Sequence, residues 1–163
     1  MMTQQPQRHC YYLGELYPLL IAVDPLITKS TILWDGKAFI CKTPEANKTD
    51  FIDELKSFYI KESRKLIGER LKRYQPQIKV KYKSFTIENN DSKWGSCSSK
   101  RQLTFHWKLM IFPLTVIDYV VVHELCHLMH MNHDRSFWRL VGKVFPNYKE
   151  AMAILGVEKV RGI

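Results

Sequence analysis

Four of the six histidines in this 163-residue chain fall within eleven residues, in the string HELCHLMHMNH from His123 to His133. The string opens as HExxH: His123, Glu124, Leu125, Cys126, His127. Residues four apart share one face of a helix. Two imidazoles at that spacing can grip one zinc ion, with the glutamate between them beside a water on the metal. The chemistry this predicts is metal-assisted hydrolysis. Zinc polarises a scissile carbonyl and lowers the pKa of its water, and Glu124 takes the water's proton and passes it to the leaving amine.

Catalytic zinc generally takes three protein ligands. His130 shares the helical face, but it lies about 10 Å along the axis from His123 and would converge poorly on the same ion. His133 fits better if the helix ends first. Asn132 is a candidate left-handed C-cap, and Asp134 a candidate N-cap for a helix from Arg135. The spacing HExxHxxxxxH is the metzincin ligand pattern, which has glycine where this chain has His130. Glu150 stays open as a carboxylate ligand from a later helix. Cys126, inside the motif, points toward packing neighbours and reads as a small buried hydrophobe. An oxyanion needs a donor, and His106 and Tyr148 are the candidates.

These side chains need a buried helix to hold them. Val116, Ile117, Tyr119, Val120, Val121 and Val122 predict one, apolar on nearly every side, over Leu114–Met131. Two short helices should follow, at Arg135–Val144 and Asn147–Leu155, with Gly156 as a stop. Upstream, a strand pair at Cys10–Ile21 and Thr31–Lys42 turns near Trp34-Asp35-Gly36. An amphipathic helix runs from Asp50 to Tyr74 and stops before Pro76. Strands follow at Ile78–Glu88 and Leu103–Leu109, with a turn at Asn89-Asn90-Asp91. An edge strand beside a peptidase site can hold a substrate backbone by strand addition. Trp94, Gly95 and Ser96 are the candidate contacts, with a structural turn around a buried tryptophan as the competing reading.

Composition agrees with one globular domain. The 45% hydrophobic fraction is ordinary. Residues 1–163 read as a single domain, with a disordered lead-in over 1–9, strands over 10–46 and a catalytic core over 50–163. The first residues lack the apolar stretch of a signal peptide, no run is long enough to span a bilayer, and the four cysteines show no CxxC pairing. A cytoplasmic location is expected. Charge is concentrated: from Lys56 to Lys83 ten basic residues face two acidic ones, so that segment holds +8 of the chain's +9. Lys65, Arg70, Lys72, Arg73, Lys79, Lys81 and Lys83 could track a phosphate backbone. The plainer reading is a solvated face with lysines guarding a sheet edge.

The run VIDYVVVHELCHLMHMNHDRSFW closely resembles the YgjP-like metallopeptidase-like family, relatives of the SprT and WLM zincins. KWGSCSSKRQLTFHWKLMIFP and YYLGELYPLLI fit the same family in the same order. The resemblance implies an α+β zincin-like domain, a small mostly antiparallel sheet packed on a long N-terminal helix and a buried HExxH helix. It implies a Zn2+ cofactor held by His123, His127 and His133, with Glu124 as general base and a protein or peptide as substrate. Two positions depart from the family pattern, His106 for a small amide and Asp134 for serine. The alternative function is a zinc-bearing, nucleic-acid-associated module with weak or conditional protease activity, kept by analogy with SprT.

Overall fold

In the computed structural model, which describes residues 8–157, the chain opens with two hairpins. Residues 1–7 of the expected disordered lead-in lie outside the described residues; Arg8 and His9 already belong to the first strand. β1 (Arg8–Tyr12) and β2 (Glu15–Val23) pair antiparallel. They join through Leu13 and Gly14 at φ 49° and 89°, since two successive left-handed residues match the twist of the strands. A Cβ on Gly14 would stand 2.8 Å from Pro113 Cγ. The turn's N–H groups donate to the carbonyls of Met110 (2.8 Å) and Ile111 (3.0 Å), fastening the hairpin to the segment that leads into the HExxH helix.

β3 (Thr31–Trp34) and β4 (Phe39–Thr43) form the second hairpin, whose turn is closed by Asp35 Oδ1 accepting from the N–H groups of Lys37 and Ala38. The sheet order is β1-β2-β4-β3, with β2 and β4 parallel. The sequence places a turn near Trp34-Asp35-Gly36, where the second hairpin turns, but reads the first hairpin, Cys10–Ile21, as a single strand. Period-2 alternation does not reveal the Leu13-Gly14 turn, because an apolar leucine occupies its first position.

α1 (Ile52–Ile78) buries Leu55, Tyr59, Ser63, Ile67, Leu71, Tyr74 and Ile78 along one face. It outruns the stop expected at Pro76. Pro76 is exposed, so the hydrogen bond it cannot donate is lost on the solvent side, while Tyr74 and Ile78 remain anchored in the core. Lys79, at φ 59°, ends the helix.

β5 (Ser84–Glu88), β6 (Gly95–Cys97) and β7 (Gln102–His106) make a second sheet in the order β5-β7-β6. β5 is parallel and β6 antiparallel to β7, which leaves β6 at an edge. Both predicted strands here are shortened. Residues 79–83 lie outside the strand, which begins at Ser84 just after the Lys83 N–H donates to the Arg101 carbonyl at 2.8 Å. Beyond His106 the chain tightens into a 3₁₀ segment, Trp107–Ile111, because His106 Nδ1 accepts from the Lys108 N–H at 3.0 Å. Among the described residues there are thus two small mixed sheets rather than one mostly antiparallel sheet.

The core closes around α2 (Leu114–Cys126), followed by α3 (Arg135–Val144) and α4 (Tyr148–Val157). α4 continues through Gly156, the expected stop. Val116 to Val122 are all buried, Asp118 included. The architecture is α+β, and among the described residues no helix is long and apolar enough to cross a membrane.

Candidate metal centre

α2 ends at Cys126, and His127 caps it in a right-handed conformation. The next residues tighten rather than continue: Leu128 N–H donates to the Leu125 carbonyl (3.1 Å) and Met129 N–H to that of Cys126 (3.0 Å). The expectation of a helix to Met131 with a left-handed Asn132 is corrected on both points, since Asn132 is not among the positive-φ residues. The early stop frees a loop that folds back. Asp134 takes the predicted cap, with Oδ1 accepting from the Phe137 N–H at 2.9 Å. An aspartate in place of serine keeps the capping chemistry.

The fold-back carries His133 onto the helix end. Its Nε2 lies 3.0 Å from the Nε2 atoms of His123 and His127, which are 3.2 Å from each other. Three nitrogens each about 2.0–2.1 Å from a tetrahedral zinc would stand about 3.3 Å apart, so the cluster fits one such ion. The ring tautomers fit as well. His127 Nδ1 faces the main-chain carbonyl of His130 at 2.9 Å. A carbonyl only accepts, so Nδ1 carries the proton and Nε2 presents its lone pair. His123 Nδ1 lies 3.1 Å from the Tyr119 hydroxyl. Beneath the cluster the fully buried Phe137 touches all three imidazoles, with ring centroids 4.5–5.0 Å away.

Glu124 is 5% exposed, and its Oε2 has no hydrogen-bond partner. Burial pushes its carboxyl up to about 8 against the pull of Lys93. Burial, reinforced by the two neighbouring imidazoles, pushes His123 down to about 3, and burial also lowers His127. An orphaned buried carboxyl beside three converging imidazole nitrogens is an arrangement that a divalent cation would complete.

Residues 2–157 match the family described as YgjP-like, metallopeptidase domain. The chain belongs to the YgjP-like family. No curated protein sequence matches it. Among solved structures, the metallopeptidase zymogen abylysin of Pyrococcus abyssi shares the fold, with a TM-score of 0.53 and 22% identity over 60% of this chain and 98% of that one. The family is described as a metallopeptidase domain, and the likeness to the zymogen is one of fold.

In this YgjP-like domain a cavity of about 190 Å³ opens beside Glu124, with Trp94, Gly95, Tyr119 and His123 in its wall. A larger one, about 550 Å³ between β3 and α1, contains none of the candidate residues. A Cβ on Gly95 would stand 3.0 Å from Glu124 Cγ and Oε1, so edge strand β6 passes directly against the glutamate. Trp94 also packs edge-on against Phe112 and His106. Ser96 turns away, its hydroxyl bonded to Thr104 across the sheet.

Neither candidate oxyanion donor lines this cavity. His106 is 1% exposed, spends Nδ1 on Lys108 and is lowered to about 4 by burial. Tyr148 stacks on Trp138 at 5.5 Å, and Trp138 in turn stacks on His133. Each is one aromatic ring removed. Tyr119, which the apolar run of α2 marks only as a packing residue, lines the cavity and bonds His123 through its hydroxyl; its position four residues before His123, on the same helical face, is the sequence signal for that contact. Glu150 is exposed on α4, and His130 contributes its carbonyl rather than its ring.

The basic segment divides. Arg70 makes a bidentate pair with buried Asp118 (2.5 and 2.6 Å), joined by the Tyr74 hydroxyl at 3.0 Å. It is a clamp between α1 and α2. Lys65, Lys72, Arg73, Lys79, Lys81 and Lys83 stay in solvent.

Proposed function

We propose that this protein is a zinc-dependent peptidase in which His123, His127 and His133 hold the metal and Glu124 is the general base. The observation that carries the reading is the convergence of three Nε2 atoms within 3.0–3.2 Å, next to a buried carboxyl oxygen with no partner. When bound, zinc supplies Lewis-acid polarisation of the substrate carbonyl and acidifies a water molecule. The chain's own residues do the rest. His127 is locked by a main-chain carbonyl and His133 by the Asp134-capped start of α3. Phe137 excludes water from beneath the cluster. Glu124, held in a low-dielectric pocket, takes a proton at Oε2 and releases it to the leaving amine. Edge strand β6 offers unpaired main-chain groups to an extended peptide, and Gly95 lets that peptide approach Glu124.

Glu124→Gln preserves shape and removes the base. Peptide-library cleavage should fall about 10²–10⁴-fold with one zinc still bound per chain. Equal cleavage by mutant and wild type would defeat the proposal.

A further inference from the structure

The imidazoles on α2 and at its C-cap have their second ring nitrogens engaged by different means. His127 Nδ1 faces a main-chain carbonyl at 2.9 Å. His123 Nδ1 faces a side chain, the Tyr119 hydroxyl, at 3.1 Å. Tyr119 sits one turn earlier on the same buried helix, is 4% exposed, and sets its ring edge-on to the imidazole with centroids 5.6 Å apart. A carbonyl imposes one tautomer, whereas a hydroxyl accepts or donates.

The choice at His123 follows from its other nitrogen. Nε2 points at two further Nε2 atoms, at 3.2 and 3.0 Å. To offer a lone pair there it must be unprotonated, so Nδ1 carries the proton and donates it to Tyr119 Oη. A proton on Nε2 would instead point into the cluster. The imidazole torsion about Cβ–Cγ is broad when left alone, and the hydroxyl narrows it.

We propose that Tyr119 is a positioning residue of the metal centre: its hydroxyl fixes the tautomer and rotation of the His123 ring, and so sets the affinity for zinc. This rests on His123, His127 and His133 being the ligands. Outer partners of ligating histidines typically carry 10–100-fold in metal affinity. The device is local to this helix, because His127 and His133 are held through the main chain and by α3.

Tyr119→Phe keeps the ring against His123 and removes one oxygen. The readout is zinc affinity, measured by competition with a chromophoric chelator, alongside melting of the metal-free protein. Zinc binding weakened about 10–100-fold, with metal-free melting within a few degrees of wild type, is the expected result. Wild-type affinity in a folded Tyr119→Phe protein overturns the role of Tyr119 and leaves the ligand assignment standing. Failure of wild type to take up zinc overturns both. Should the variant not fold, zinc-loaded wild type answers alone through nitrogen-15 spectra of its histidine rings. A His123 Nδ1–H proton that exchanges slowly with water supports the hydrogen bond, and fast exchange overturns it.

Discussion

Gly95 leaves a space that any larger residue would fill with its own side chain. Its φ is not positive, so the requirement is steric rather than conformational. In Gly95→Ala the new Cβ would sit 3.0 Å from Glu124 Cγ and Oε1 and 3.2 Å from Cδ. The carboxyl must give way by a few tenths of an ångström. Misplacement of a reacting group by 1 Å can cost about a hundredfold, so peptide cleavage should drop on the order of tenfold. Zinc stoichiometry should be unchanged, because none of the three imidazoles moves. A Gly95→Ala protein cleaving at the wild-type rate would remove Gly95 from the site. The chemistry of HExxH is legible from residue types, because the i, i+4 spacing alone places His123 and His127 together. The contact between Gly95 and Glu124 is not. It joins residues 29 apart in sequence, and the WGSC segment carries no periodicity that names its neighbour.

α2 is held by an ion pair to α1 as well as by apolar packing. Asp118 lies in the midst of a buried helix, and Arg70 and Tyr74 of α1 satisfy both of its oxygens. Removing one partner of a buried pair leaves an uncompensated charge, at a cost of about 3 kcal/mol or more. Asp118→Ala should therefore lower the melting temperature by roughly 10 °C. Replacing both partners with apolar residues, as in Arg70→Met with Asp118→Leu, should recover much of that loss. Recovery would be seen as a non-additive double-mutant cycle in urea melts, and strict additivity would disprove the clamp. This pair also explains why the basic segment misled as a single unit. Charge counting cannot tell a solvated lysine from an arginine spent on a partner 48 residues away. The long helix is legible in its 3.6-residue periodicity, the HExxH helix in a run apolar on nearly every side, and α3 in the Asp134 cap, all of them local signals. Strand ends and sheet membership are not. They depend on Tyr12–Glu15 pairing, on the ring of His106 and on which distant strand supplies a ladder.

At the scale of the whole molecule, pH and metal are coupled through the buried site. In the metal-free protein Glu124 titrates near 8 and His123 near 3, from ordinary values of 4.5 and 6.5. Between about 4.5 and 8 the folded chain holds a proton on Glu124 that the unfolded chain has released, so stability falls as pH rises through that window. Between about 3 and 6.5 the unfolded chain holds a proton on His123 that the folded chain lacks, so stability is lost as pH falls. The metal-free protein should thus melt highest near pH 5–6, where the two slopes oppose each other. A divalent cation held by the three imidazoles would remove the first penalty, since positive charge beside Glu124 favours its carboxylate. Zinc at 100 times its dissociation constant should add about 2.7 kcal/mol, or roughly 8 °C of melting temperature, and at one fixed zinc concentration the gain should be larger at pH 8 than at pH 5.5. Because Glu124 is mostly protonated at pH 7 before zinc arrives, uptake should release close to one proton. Calorimetric titrations in two buffers of different ionisation enthalpy measure that number directly, and Glu124→Gln should abolish it. A zinc-binding enthalpy identical in both buffers would mean that the carboxyl is already ionised in the metal-free state. The low-dielectric pocket inferred from its 5% exposure and unpartnered oxygen would then be wrong.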